Sequence, residues 1–189
     1  MDREAALVDL ELFQGNFPPG VDVPSPLSSL LEFQNRSKEW YSGYFELTEW
    51  KYGYTAWFGD DKEAAEQFAV FGKGGDGSLY ALWLYSGRTV ADAPVVFLGS
   101  EGVDCGLLAS DLIGFLGLLT IGADELGFAV SWGGDLEPKR PAPRLEEFRA
   151  WLRESFGVGA PPNLMAAVGS ARALHPDFGA WLARWQASH

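Results

Sequence analysis

Phe68–Ser100 reads FAVFGKGGDGSLYALWLYSGRTVADAPVVFLGS, and its three apolar runs decide the fold. Gln67–Gly72 predicts a strand. Ser78–Tyr85 predicts a second with no polar alternation, since Tyr80, Leu82 and Leu84 on one face meet Leu79, Ala81, Trp83 and Tyr85 on the other. A strand apolar on both faces belongs in the middle of a sheet, covered on both sides. Pro94–Gly99, rich in β-branched and aromatic residues, predicts a third. The break Lys73–Gly77, KGGDG, has glycines that permit positive φ, and Ser86–Ala93 is a second connection. Two such breaks between strands predict an antiparallel meander.

Downstream, Glu101–Asp104 is an acidic turn and Gly106–Ala109 a short additional strand. Ser110 or Asp111 caps a helix over Leu112–Thr120, in which Gly114 and Gly117, three apart, allow close packing on another element. Phe128–Trp132 predicts a short strand, and Gly133–Pro143 a surface connection. In Arg144–Phe156, Leu145, Phe148, Trp151, Leu152 and Phe156 recur at helical spacing, with Gly157 at the position after the helix. Asn163 caps a helix running to Leu174. Asp177 caps a last one to Gln186, with Phe178, Trp181, Leu182 and Trp185 as its apolar face.

Upstream, residues 7–14 alternate leucine with acid and predict a half-buried strand. Four prolines in NFPPGVDVPSP break regular structure, and Ser25–Pro26 opens a helix that ends near Asn35, with Ser25 as its cap. Tyr41–Trp50 predicts a strand with Phe45 and Leu47 on one face and Glu46 and Thr48 on the other. A helical turn follows around Ala56, and Asp60–Asp61 caps a helix over Lys62–Gln67. The expectation is an α+β fold: a single antiparallel β-sheet of about four to six strands, flanking helices and a helical C-terminal extension. Residues 1–143 would form the α+β domain, and 144–189 would pack on it as one structural unit.

The formal net charge of −12 is unevenly spread. Residues 1–143 hold 22 acidic and 9 basic residues; 144–189 hold 4 and 5. An acidic field repels nucleic-acid phosphates and anionic lipid and attracts a basic partner. No basic patch marks a nucleic-acid site, and no apolar stretch is long enough to span a bilayer. One cysteine, Cys105, precludes an internal disulfide and reads as a small core residue. The N-terminal stretch has no basic segment followed by an apolar run, so a cytoplasmic location is expected.

Chemistry has few candidates. The two histidines, His175 and His189, stand at no metal-ligand spacing and beside no nucleophile motif. KGGDG is not a phosphate loop, because its lysine precedes the glycines and a strand follows. The acidic pairs Asp60–Asp61 and Glu101 with Asp104 lack the spacing of a calcium loop and read as solvated loops. No catalytic residue, cofactor or metal is expected.

Gly72–Gly77, the Tyr-Ala-Leu-Trp strand in Ser78–Trp83, Pro94–Gly102 with Pro-Val-Val-Phe-Leu-Gly, and Leu108–Leu119 opening Ala-Ser-Asp-Leu together resemble the SUKH superfamily over residues 26–120. Val23–Pro24 with Leu27–Leu31 is the nearest match to that family's N-terminal signature. The resemblance implies a mixed α+β fold and a non-catalytic immunity protein that neutralises a bacterial toxin by direct binding. The implied partner is a cognate toxin with a basic surface, met by a monomer or weak homodimer through Asp60, Asp61, Asp76, Glu101 and Asp104. A regulatory scaffold for another protein, or a hydrolase using acidic residues, stays open as an alternative.

Overall fold

A computed structural model describes residues 4–49, 54–102, 104–134 and 136–188. Trp50, Lys51–Gly53 and His189, which enter predictions above, lie outside them. The sheet is the expected antiparallel meander: β1 (Glu46–Leu47), β2 (Phe68–Lys73), β3 (Leu79–Trp83), β4 (Val95–Leu98) and β5 (Gly106–Ala109), side by side in chain order. Tyr80 stands opposite Phe97, and Phe68 opposite Trp83. All five residues of β3 are buried.

The pleat divides the core in two. Ala69, Phe71, Tyr80, Leu82, Val95 and Phe97 join one cluster, and Phe68, Val70, Leu79, Ala81, Trp83, Val96 and Leu98 join another. The first face is covered by α2 (Ser25–Gln34), α5 (Leu112–Leu119), α6 (Leu126–Trp132) and α7 (Leu145–Phe156). Phe45, Tyr80 and Phe115 meet there edge to face or tilted, 5.2–5.5 Å between centroids. The second face is covered by α3 (Tyr54–Trp57), α4 (Lys62–Ala65) and α9 (Asp177–Ser188). On it Trp57 stacks on Trp185 at 5.0 Å, and Phe178 meets Trp83 at 5.1 Å. Between them, α8 (Leu164–Leu174) crosses the β5 edge: Leu164 and Val168 join the first cluster, Ala171 the second.

Both sheet edges are closed by side chains. At β1 the Gln34 amide acts as a substitute strand, accepting from Leu47 N at 2.8 Å and donating to Leu47 O at 3.0 Å. At β5, Arg172 Nε donates to Leu107 O at 3.2 Å. Open edges template pairing with other chains, and these are blunted.

Expected caps are in place at several helices. Asp61 Oδ1 accepts from Ala64 N, Asp111 Oδ1 from Gly114 N and Asn163 Oδ1 from Ala166 N. Gly157 ends α7 at φ +69°. A Cβ at Gly117 would lie 3.0 Å from Gly159 O, so the close packing expected there is real; no comparable approach from another element exists at Gly114.

Five expectations are corrected. Residues 7–14 are not a strand, since Leu10–Gln14 forms helix α1. Asp9 Oδ1 accepts from Glu11 N and Leu12 N, and this cap outweighs the alternation; Leu10 and Leu12 point to solvent while Phe13 is buried. Phe128–Trp132 belongs to α6, because a five-residue apolar run fits either period. Leu126 and Val130, four apart, face the sheet, and Gly127 lets the helix sit directly on Phe97, where a Cβ would lie 2.0 Å from the ring. Among the described residues of Tyr41–Trp50 only Glu46–Leu47 form a strand, and Glu46 and Thr48 are buried like Leu47. Glu46 spends its charge inside, 3.2 Å from Lys73 Nζ, and accepts from Ala6 N at 2.6 Å. Ser25 does not cap α2, where Pro24 takes that position, and Asp177 lies inside the first turn of α9.

His175 links the end of α8 to the β3–β4 connection, its Nδ1 3.0 Å from the Tyr85 hydroxyl. Burial, then Arg88, holds its pKa below the ordinary histidine value. Cys105 is half-buried, and burial pushes its thiol up to about 11, so it is no thiolate nucleophile at neutral pH.

The second core face makes a direct prediction. Phe178→Ala removes a buried ring from α9 and should cost about 3 kcal/mol in urea unfolding. Leu174→Ala, at a residue 65% exposed, should change stability by less than about 0.5 kcal/mol.

Candidate functional site: the acidic end of the sheet

In an antiparallel meander the β2–β3 and β4–β5 turns lie at one end and the β3–β4 connection at the other. Asp76, in the first turn, and Glu101 and Asp104, in the second, therefore share an end. One carboxylate joins the two turns. Asp76 Oδ1 accepts from Ser78 N at 3.0 Å, and Oδ2 accepts from Ser78 Oγ at 2.6 Å and Ser100 Oγ at 3.3 Å. The buried Ser78 Oγ accepts in turn from Ser100 N at 3.1 Å. Such a network fixes a loop better than its separate bonds would.

The second turn is clamped from the far face as well. Trp57 Nε1 donates to Gly99 O and Gln186 Nε2 to Gly102 O, both at 2.7 Å. Helices α3 and α9 thus hold the loop that carries Glu101, which is exposed, and Asp104, which is half-buried.

The other two predicted residues sit elsewhere. Asp60 is exposed at the α3–α4 corner with φ +65°. Its neighbour Asp61 caps α4 and lines a small hollow with Trp181, Arg184 and Trp185. The structure brings Asp76, Glu101 and Asp104 to one end. Asp60 and Asp61 stand on the corner beside α9.

Two residues of this end carry no motif. Glu125 lies over the KGGDG turn, where a Cβ on Gly75 would come 2.8 Å from its Oε1 and 3.0 Å from Tyr44 Cβ. The double glycine is a seat for that carboxylate, so it signals a close approach without naming what approaches. Tyr44 is 46% exposed, packs edge-to-face on Trp40 at 5.9 Å, and donates its backbone N–H to Asp124 O. Lys73, the cation of the turn, is spent on Glu46. What faces solvent is a tyrosine bordered by carboxylates.

Among the described residues no cluster of three or more His, Cys, Asp or Glu could hold a metal ion, and no helix is long and apolar enough to cross a membrane. No family model, curated protein or solved structure matches the chain.

The five acids divide by role. Asp76→Ala should cost about 1–2 kcal/mol and speed amide exchange at Ser78, whose buried N–H loses its acceptor, and at Ser100, whose N–H donates to the Ser78 hydroxyl that Asp76 holds in place. Glu101→Ala, whose carboxylate makes no such bond in the structure, should leave both unchanged.

Proposed function

We propose that this chain is a non-catalytic binding protein that captures a basic protein partner on the acidic end of its sheet. The observation that carries the reading is the rigid presentation of acids: two turns, joined through Asp76 and clamped by Trp57 and Gln186, hold Glu101 and Asp104 at the end of the sheet where the exposed Tyr44 packs against Gly75. A preorganised charged loop loses little entropy on binding. A tyrosine ringed by polar groups is a common interface anchor. With both sheet edges closed by Gln34 and Arg172, docking through loops is favoured over strand addition.

The resemblance of Gly72–Leu119 to the SUKH superfamily gives this partner a class: a bacterial toxin, with this chain as its immunity protein. A toxin that acts on nucleic acid carries a cationic cleft. An acidic end would steer encounter with it and compete with the toxin's anionic substrate.

Co-expression with the toxin encoded beside this gene tests the reading by growth rescue. The wild-type chain should rescue. The double neutralisation Glu101→Gln, Asp104→Asn should weaken the purified complex at least tenfold at low salt and abolish rescue, with unfolding unchanged. Full rescue by the double variant would contradict an interface at this end.

A further inference from the structure

The opposite end of the sheet holds a cleft of about 950 Å³ between the proline-rich segment 20–26, the β3–β4 connection and the start of α5. Val21, Val23, Leu84, Val90, Leu112 and Ile113 supply most of its wall. The size falls within the range of small-molecule sites, which are apolar with a few placed polar groups.

Both walls are braced in the unliganded chain. Gln14 Nε2 donates to Val21 O at 2.7 Å, and Gln14 Oε1 accepts from Val23 N at 3.1 Å, so one amide holds the proline-rich wall extended. On the other wall, Thr89 Oγ1 donates to Asp92 Oδ2 at 2.9 Å and Asp92 N to Thr89 O at 3.1 Å.

Three charged residues line the cleft: Asp22, Arg88 and Asp111. Asp111 is committed to its own helix, with Oδ1 accepting from Gly114 N at 2.7 Å and Oδ2 from Ser110 Oγ at 3.3 Å. Asp22 is exposed on the rim. Arg88 is half-buried and makes no ion pair among the described residues, although acids outnumber bases 26 to 14 in the chain. Its guanidinium lies 4.9 Å over the Tyr85 ring, and Nη1 donates to Asp92 O at 3.2 Å. A guanidinium has five donors in a planar fork suited to a carboxylate. The cation available to an occupant is therefore Arg88, and it stands beside an apolar wall.

We propose that this cleft binds a small amphipathic carboxylate, with its hydrocarbon chain along Val23, Leu84, Val90 and Ile113 and its carboxylate on Arg88. The site is separate from the acidic end and does not depend on the toxin-binding reading.

Titration calorimetry of the full chain with decanoate, below its micelle concentration, tests this, with decyltrimethylammonium as the cation of matched chain length. Decanoate should bind one to one with Kd at or below about 1 mM, where binding is worth about 4 kcal/mol. The cation should bind at least tenfold more weakly. Arg88→Gln should weaken decanoate at least tenfold while leaving the melting temperature unchanged. Ile113→Trp should block binding by filling the cleft, and Val90→Trp, on the half-buried connection, provides the same test should Ile113→Trp fail to fold. Equal binding of the two amphiphiles, undiminished binding by Arg88→Gln, or no saturable heat with decanoate would each overturn the proposal.

Discussion

Strand β3 has no polar face, and the architecture follows from that constraint. Leu79, Ala81 and Trp83 on one side and Tyr80 and Leu82 on the other are all buried, so the sheet must be covered twice. Helices α2, α5, α6 and α7 supply one cover. The other comes largely from the C-terminal helix, where Phe178 and Trp181 lie over Phe68 and Trp83 and Trp185 lies against Trp57 and Phe58. Each large ring buried there contributes about 2–3 kcal/mol. The C-terminal segment thus forms a third layer of the fold, and α8 carries the chain over the β5 edge to reach it.

Closing the sheet also decides where binding can occur. Gln34 occupies Leu47 N and O at the β1 edge, and at the β5 edge α8 crosses with Arg172 on Leu107 O. The turns at the two ends are what the scaffold offers. At one end, the Asp76 carboxylate ties the two acidic turns together. At the other, an apolar cleft carries an arginine. The same topology that buries the strands separates the two surfaces by the length of the sheet.

Much of this was legible in the sequence, for physical reasons. Phe68–Ser100 is apolar on both faces and punctuated by glycine, so strand order and direction follow from run length and turn spacing. Helices α5, α7 and α8 announce themselves through Asp111, Gly157 and Asn163. The N-terminal stretch misled because Leu10 and Leu12 alternate with acids yet face solvent, while Asp9 acts as a cap. In α6, five apolar residues cannot distinguish the two periods. The shared end of Asp76, Glu101 and Asp104 follows from the meander itself. Glu125 and Tyr44 reach that end from distant segments, and only the need for glycine at Gly75 hints at them. The edge closures by Gln34 and Arg172 depend on tertiary approach and leave no local pattern.

The most direct test of the acidic end as the interface is amide hydrogen exchange of the chain, free and bound to the proposed cognate toxin. New protection should concentrate at 74–77, 99–102 and around Tyr44, with the 84–91 connection unchanged. Protection confined to 84–91 or to the outer face of α7, with the two acidic turns exchanging as in the free chain, would contradict it.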